Sequence, residues 1–327
     1  MTDLATLSPR ADGGGGLRRV LAVSDGAYRG ALGAVAALFA ALLVALVTLL
    51  VIEAHPAFAH FGFSFLTGTK WDPTHVHLGA LVFVVGTVET TAIAMVLALP
   101  VGLGCALALA FGVPRRLQVP LGAAVELLAA VPSVVYGLWG LLVVAPWVRT
   151  IVEPALAHIT GGRGPFGGSQ EGVGLLLAGV ILAIMVLPTL VAISRDVLVA
   201  VPQPEVEGAF ALGATRWQVM RRVVVPSARS GLLGATTLAT GRALGETIAV
   251  TMVIGNTNAF SHSLFGQTAT LSSVIANEFT EATEPYHQAA LIGLALVLLV
   301  VALVVNLAAR LLVRSVKHQG AIGVGLL

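Results

Sequence analysis

The stretch Gly241-Arg242-Ala243-Leu244-Gly245-Glu246-Thr247 sets an arginine and a glutamate inside a run that is otherwise apolar from Gly231 to Gly255. A guanidinium stays charged in any setting and presents a planar fork of donors suited to an anion. Read as one helix, the spacing puts Arg242 and Glu246 on one face, where they can pair, with the Thr247 hydroxyl beside them. The pair could line a path and temper the arginine's grip, or it could be a buried ion pair that fixes helix packing. Both readings require company. Eight residues of the run are Leu, Ile or Val, each contributing roughly −0.3 to −0.6 kcal/mol to insertion, while each charge costs roughly +2.5 to +3.5 kcal/mol. The charges win, so this segment belongs inside a bundle, beside water or a partner.

The elements around it follow from composition. The chain has 327 residues, 57% hydrophobic and 10% charged, with mean hydropathy +0.95. A soluble domain of that composition would have no surface to offer water. The class is therefore an all-α polytopic membrane protein; a β-barrel would show short alternating segments instead of continuous runs. The lone Cys105 lies in an apolar run and reads as a packing residue. His75 and His77 lack the spacing and cysteine partners of a metal site, so no metal is expected.

Six spans are expected, over 31–52, 80–111, 121–145, 173–194, 231–255 and 289–309. Residues 1–30 read as a flexible tail, 53–79 as an outer loop, 80–313 as a five-span core, and 314–327 as a second tail. Arg10, Arg18, Arg19 and Arg29 precede the first span, Arg115 and Arg116 follow the second, and Arg195 to Arg229 follow the fourth. The intervening loops are poor in positive charge, so both termini are placed in the cytoplasm. Pro132 and Ser133 are expected to break or bend the third span. No inverted pair of broken helices stands out. Gly241 and Gly245 read as a small-x-x-x-small approach face.

The segment 202–226 carries the sharpest pattern. Glu207-Gly208-Ala209, Gly213 and Val223-Val-Val225-Pro226 keep the spacing of the EAA loop of ABC importer permeases, which they resemble. Independently of the name, the prolines at 202, 204 and 226 bracket short amphipathic helices with a glycine corner. The resemblance implies that this segment is the coupling helix that docks on a cytoplasmic ATPase, through Glu207, Gly208, Ala209 and Gly213. The only lysines, Lys70 and Lys317, lie in no P-loop, so ATP and Mg are expected on a partner subunit; this chain is expected to bind no cofactor and to catalyse nothing.

Two further stretches are similar to the phosphate-specific permeases of the PstC type: Glu126-Leu-Leu-Ala-Ala-Val-Pro132-Ser133-Val-Val-Tyr136-Gly137-Leu-Trp139-Gly140, and the opening stretch extended to Asn256. Glu89 departs from that pattern. The resemblance implies a type I ABC importer permease fold in the bacterial cytoplasmic membrane, carrying inorganic phosphate. It implies a PstA-type second permease, two PstB-type ATPase subunits and a PstS-type phosphate-binding protein as partners, with lipid around them and no nucleic acid. Arg242, Glu246 and Thr247 would line the path. Glu126 reads as a snorkelling charge or as a contact to the ATPase or Arg115. A permease for molybdate or sulfate is the alternative; a channel or secondary transporter is a more distant one.

Overall fold

The computed structural model describes residues 25–322. The chain divides into two units, Met1–Leu49 and Leu50–Leu327. Helix α1, Asp25–Phe61, begins in the first, where Leu38, Leu42 and Leu46 are all exposed. A helix apolar on every side is a membrane helix. It overruns the expected 31–52 at both ends: Glu53 and His55 mark where polarity changes, not where hydrogen bonding stops. Of the expected tail 1–30, residues 1–24 lie outside the described residues and 25–30 are helical.

The expected outer loop 53–79 is correspondingly shorter and more ordered. After α1 come a short helix α2, Ser64–Thr67, and a hairpin of β1, Trp71–Asp72, and β2, His77–Leu78, with Trp71 opposite Leu78. Asp72 closes the hairpin. Its carboxylate accepts from the Thr74 hydroxyl at 2.6 Å and meets His75 Nδ1 at 2.6 Å. The Thr74 hydroxyl first, then His75, holds the Asp72 carboxyl well below the usual carboxylate range.

Among the described residues five helices are long and apolar enough to cross a membrane: Tyr28–Phe61, Leu81–Gly112, Ser133–Thr160, Leu175–Val199 and Pro285–Leu311. We label the cores of the later four α3 (Leu81–Leu107), α5 (Ser133–Thr160), α6 (Leu175–Val199) and α11 (Pro285–Ile322). The expected third span, 121–145, is not one helix. The chain forms α4, Arg115–Ala129, breaks at Ala130 to Pro132, and resumes as α5. The expected fifth span, 231–255, is also interrupted, into α8, Val225–Leu244, and α9, Ile248–Val253. α8 is long enough but too polar to count among the five. The expected tail 314–327 starts as the end of α11, and its last residues, 323–327, lie outside the described residues.

Close approaches fix the direction of the crossings. A side chain on Gly179 would collide with Ile93, and one on Gly102 with Leu190, so α3 and α6 run the same way. Gly231 abuts Val197, while Leu244 shares a cavity wall with Leu182, so α8 runs against α6. That is the parity an alternating chain requires. The end of α9 and the segment after it complete the start of α6: the N–H groups of Gly174, Leu175 and Leu176 donate to the carbonyls of Val253, Gly266 and Leu264. Those are the donors a helix start leaves without partners.

Prolines in these helices have a recurrent accommodation. Pro146, Pro154 and Pro226 each follow a five-residue π-helical stretch, Gly140–Val144, Val148–Val152 and Met220–Val224. A widened turn lets the helix pass a residue that has no N–H to give. Pro226 therefore does not close off the segment 202–226 as the proline pattern suggests; it sits in the first turn of α8.

Candidate translocation site and coupling surface

Arg242 occupies the last turn of α8, which stops at Leu244 with Gly245 as its cap. Glu246 lies in the three-residue interruption, and α9 starts after Thr247. The expected i,i+4 pair therefore fails, and among the described residues Arg242 and Glu246 make no ion pair. The reason is electrostatic. A helix C-terminus carries partial negative charge and an N-terminus partial positive charge, so a cation favours the last turn and an anion the first. Arg242 sits at the end of α8. Glu246 sits at the start of α9, where Oε1 accepts from Ala249 N at 3.5 Å. Each charge sits at its own helix end, and among the described residues the exposed guanidinium has no carboxylate within ion-pair distance.

Unwound backbone at membrane depth needs partners. Glu246 N donates to the Ala243 carbonyl at 3.3 Å, and the Ser272 hydroxyl donates to the Glu246 carbonyl at 2.9 Å. Ser272 belongs to α10, Leu271–Glu278, a short helix in the segment between α9 and α11. The hydroxyls of Thr87, Thr90, Thr91, Thr270 and Ser272 line a cavity with Glu246, about 10 Å³ in volume. That is near the minimum for one water molecule. Thr87 and Thr90 donate back along their own helix to Phe83 and Gly86, and Thr87 also accepts from Leu271 N. Thr247 is half-buried; its hydroxyl reaches the Gly245 carbonyl at 3.4 Å and its carbonyl holds Thr251.

The second interruption lies alongside the first. Gly137 on α5 faces the Ala249 backbone and Met252 on α9, and Gly140 faces Ile181 and Val253. Tyr136 is buried, its hydroxyl donating at 2.8 Å to the Leu128 carbonyl across the Pro132 break, within electrostatic reach of Arg242. Thus Tyr136 and the start of α5 join Arg242, Glu246 and Thr247. Pro132 and Ser133 set the break itself, as expected, while Glu126 is exposed on α4. The Gly241–Gly245 approach face is half realised: Gly241 is in ordinary contact with Asn306, whereas Gly245 meets only its own helix. Sequence reading missed α10 and the threonines of α3, although three hydroxyls in Gly86-Thr-Val-Glu-Thr-Thr91 were a visible signal.

Glu207, Gly208 and Ala209 lie on α7, Gln203–Ala211. Gly213 turns the corner at φ +81°, a left-handed conformation that favours glycine. Thr215 then opens the next helical turn with a capping box to Gln218. Val206, Val219 and Val224 anchor this bracket to Ala106 and Leu198, and Ser227 donates to Glu205 at 2.8 Å. Glu207 and Gly208 are exposed, beside Phe210, Leu212 and Trp217 at 44%, 90% and 63% exposure. Exposed apolar groups rimmed by charge mark a docking surface.

A crossing interrupted beside Arg242, together with a bracket that presents an apolar tip, suits a membrane permease. The fold agrees with that class: a chain from the inward-facing MetNI methionine ABC transporter matches over 99% of its own length and 76% of this one, with TM-score 0.53 at 19% identity. The family described as binding-protein-dependent transport system inner membrane component matches residues 98–318, and the chain belongs to it. It is a multi-pass protein of the cytoplasmic membrane. It is 44% identical over 308 residues to the phosphate transport system permease protein PstC of Mesorhizobium japonicum, covering 93% of this chain and 94% of that one. It is 41% identical to PstC of Pasteurella multocida over 85% of this chain and 88% of that one. Identity to PstC 1 of Mycobacterium tuberculosis is 38%, over 89% and 93%.

Proposed function

We propose that this chain is the membrane-spanning permease of an ATP-driven importer of inorganic phosphate. The observation that carries the reading is similarity to PstC proteins along nearly the whole chain. Arg242 supports it chemically: an exposed guanidinium at an unwound crossing offers an oxyanion directed donors, and Glu246 and Thr247 lie in the interruption beside it. A second permease completes the path, a phosphate-binding protein delivers substrate at the outer face, and two ATPase subunits bind ATP and Mg. This chain contributes no catalytic group. Glu207, Gly208, Ala209 and Gly213 carry ATPase movement through α7 into α8, whose far end holds Arg242.

Reconstitution of the complex in liposomes tests the reading. Wild-type should accumulate phosphate on ATP addition, Arg242→Gln should lose uptake by roughly a hundredfold if a charged donor is lost from a desolvated path, and Arg242→Lys should recover part of it. Full uptake by Arg242→Gln in an intact complex would remove Arg242 from the path. Stimulation by molybdate or sulfate instead of phosphate would change the substrate.

A further inference from the structure

α10 is held at both ends by groups from other elements. At its start, Leu271 N donates to the Thr87 hydroxyl at 2.9 Å, and Thr270 and Ser273 cap one another. Ser272 there holds the Glu246 carbonyl, and residues Leu271 to Val274 are all buried. At its far end, the Glu278 carboxylate gathers three elements. Trp71 of β1 donates to Oε2 at 2.8 Å, His287 of α11 meets the same oxygen at 2.9 Å, and Asn258 of the loop after α9 donates to Oε1 at 3.3 Å. Trp71 also packs edge-on against Phe83 of α3. The helix between these anchors is eight residues, about 12 Å long.

We propose that α10 is a strut between the outer face and the interrupted crossing, and that Glu278 and Ser272 are positioning residues for transport at its two ends. The inference rests on the transport reading above. A short helix with a buried start transmits displacement instead of absorbing it, because its core contacts leave no slack. Movement of the hairpin or of the Asn258 loop thereby reaches the Glu246 carbonyl. Glu246 lies in the three-residue interruption that directly follows the last turn carrying Arg242, so the strut sets the angle at which the guanidinium is presented. Ser272 is the only side-chain partner of that carbonyl among the described residues.

The test uses the complete importer in liposomes with its phosphate-binding protein. Glu278→Gln keeps the shape but weakens the bonds to Trp71 and His287. The strut predicts that phosphate moved per ATP hydrolysed falls by roughly five- to tenfold per folded complex, a larger loss than the modest fall in thermal midpoint accounts for, with the apparent KM for loaded binding protein unchanged. Ser272→Ala should produce a similar fall, Ser272→Thr should restore coupling, and the double variant should be no worse than the poorer single one, because both act through one element. A raised KM with undiminished maximal rate would make Glu278 a docking contact and overturn the proposal. So would effects of the two variants that multiply, or losses that follow only the amount of folded complex. A wild-type complex that moves no phosphate would overturn the transport reading instead.

Discussion

Gly137→Ala tests whether the two interruptions truly meet. A methyl group at Gly137 would lie 2.7 Å from Met252 Sδ and 3.0 Å from the Ala249 Cα. The sulfur can swing aside, but the Cα belongs to the backbone of α9, so α5 and α9 must part by several tenths of an ångström. Overpacking of this kind costs about 1–3 kcal/mol, and replacing a helical glycine by alanine returns about 0.5–1 kcal/mol. The net expectation is destabilisation by about 1–2 kcal/mol. Gly140→Ala meets Ile181 carbons at 2.9 Å and Val253 at 3.1 Å. Ile181 and Val253 are fully buried, stiff β-branched side chains, so this variant should also destabilise, though less than one that meets backbone. Gly104→Ala has nothing within 4 Å and should stabilise slightly. Thermal midpoints of the three purified variants in detergent should rank Gly104→Ala first, Gly140→Ala second and Gly137→Ala last. α9 begins beside the Arg242 interruption, so Gly137→Ala should also lose more phosphate uptake per folded complex than the others. A Gly137→Ala midpoint equal to that of Gly104→Ala would refute the close approach and the adjacency built on it.

Tyr136→Phe removes the hydroxyl that satisfies the Leu128 carbonyl across the Pro132 break, and should cost about 1–2 kcal/mol, read as a lowered thermal midpoint. Gly213→Ala forces a side chain into the left-handed corner of the coupling bracket at about 1–2 kcal/mol, with no steric clash to add; ATPase co-purification should weaken while α5 and α6 stay protected from hydrogen exchange. Lowering pH toward 2 should release the 71–78 hairpin: a carboxyl with a depressed pKa contributes above its unfolded value and loses that contribution as pH falls through the folded one. Asp72→Asn should abolish this acid-dependent step, measured by proteolysis after Lys70.

Much of the architecture was legible because lipid selects long apolar runs. The EAA-like spacing was legible for a local reason: a glycine corner between short helices must occupy a fixed place. What escaped was decided by distant contacts. Nothing in Arg242-Ala-Leu-Gly-Glu246 breaks a helix, since all but the glycine are sound helix formers. The break is held by Ser272, which lies 26 residues on. α10 was hidden in a loop because eight residues are too few to show a helical period. The polar step at Glu53 does not end α1, because a helix can leave the membrane without unwinding.

α8 presents its buried stripe as Ala228, Ala235, Ala239 and Ala243. This bears on the order in which the protein is made. A segment of α8's polarity is a poor candidate for release into lipid by itself, yet α6 precedes it in synthesis and lies antiparallel beside it. Alanine has no rotamers to freeze, so docking along such a stripe costs almost no side-chain entropy. The nascent α8 can therefore seat against α6 as one hairpin before α11 exists. The polar crossing is delivered by its neighbour, and the guanidinium at its tip reaches membrane depth already accompanied.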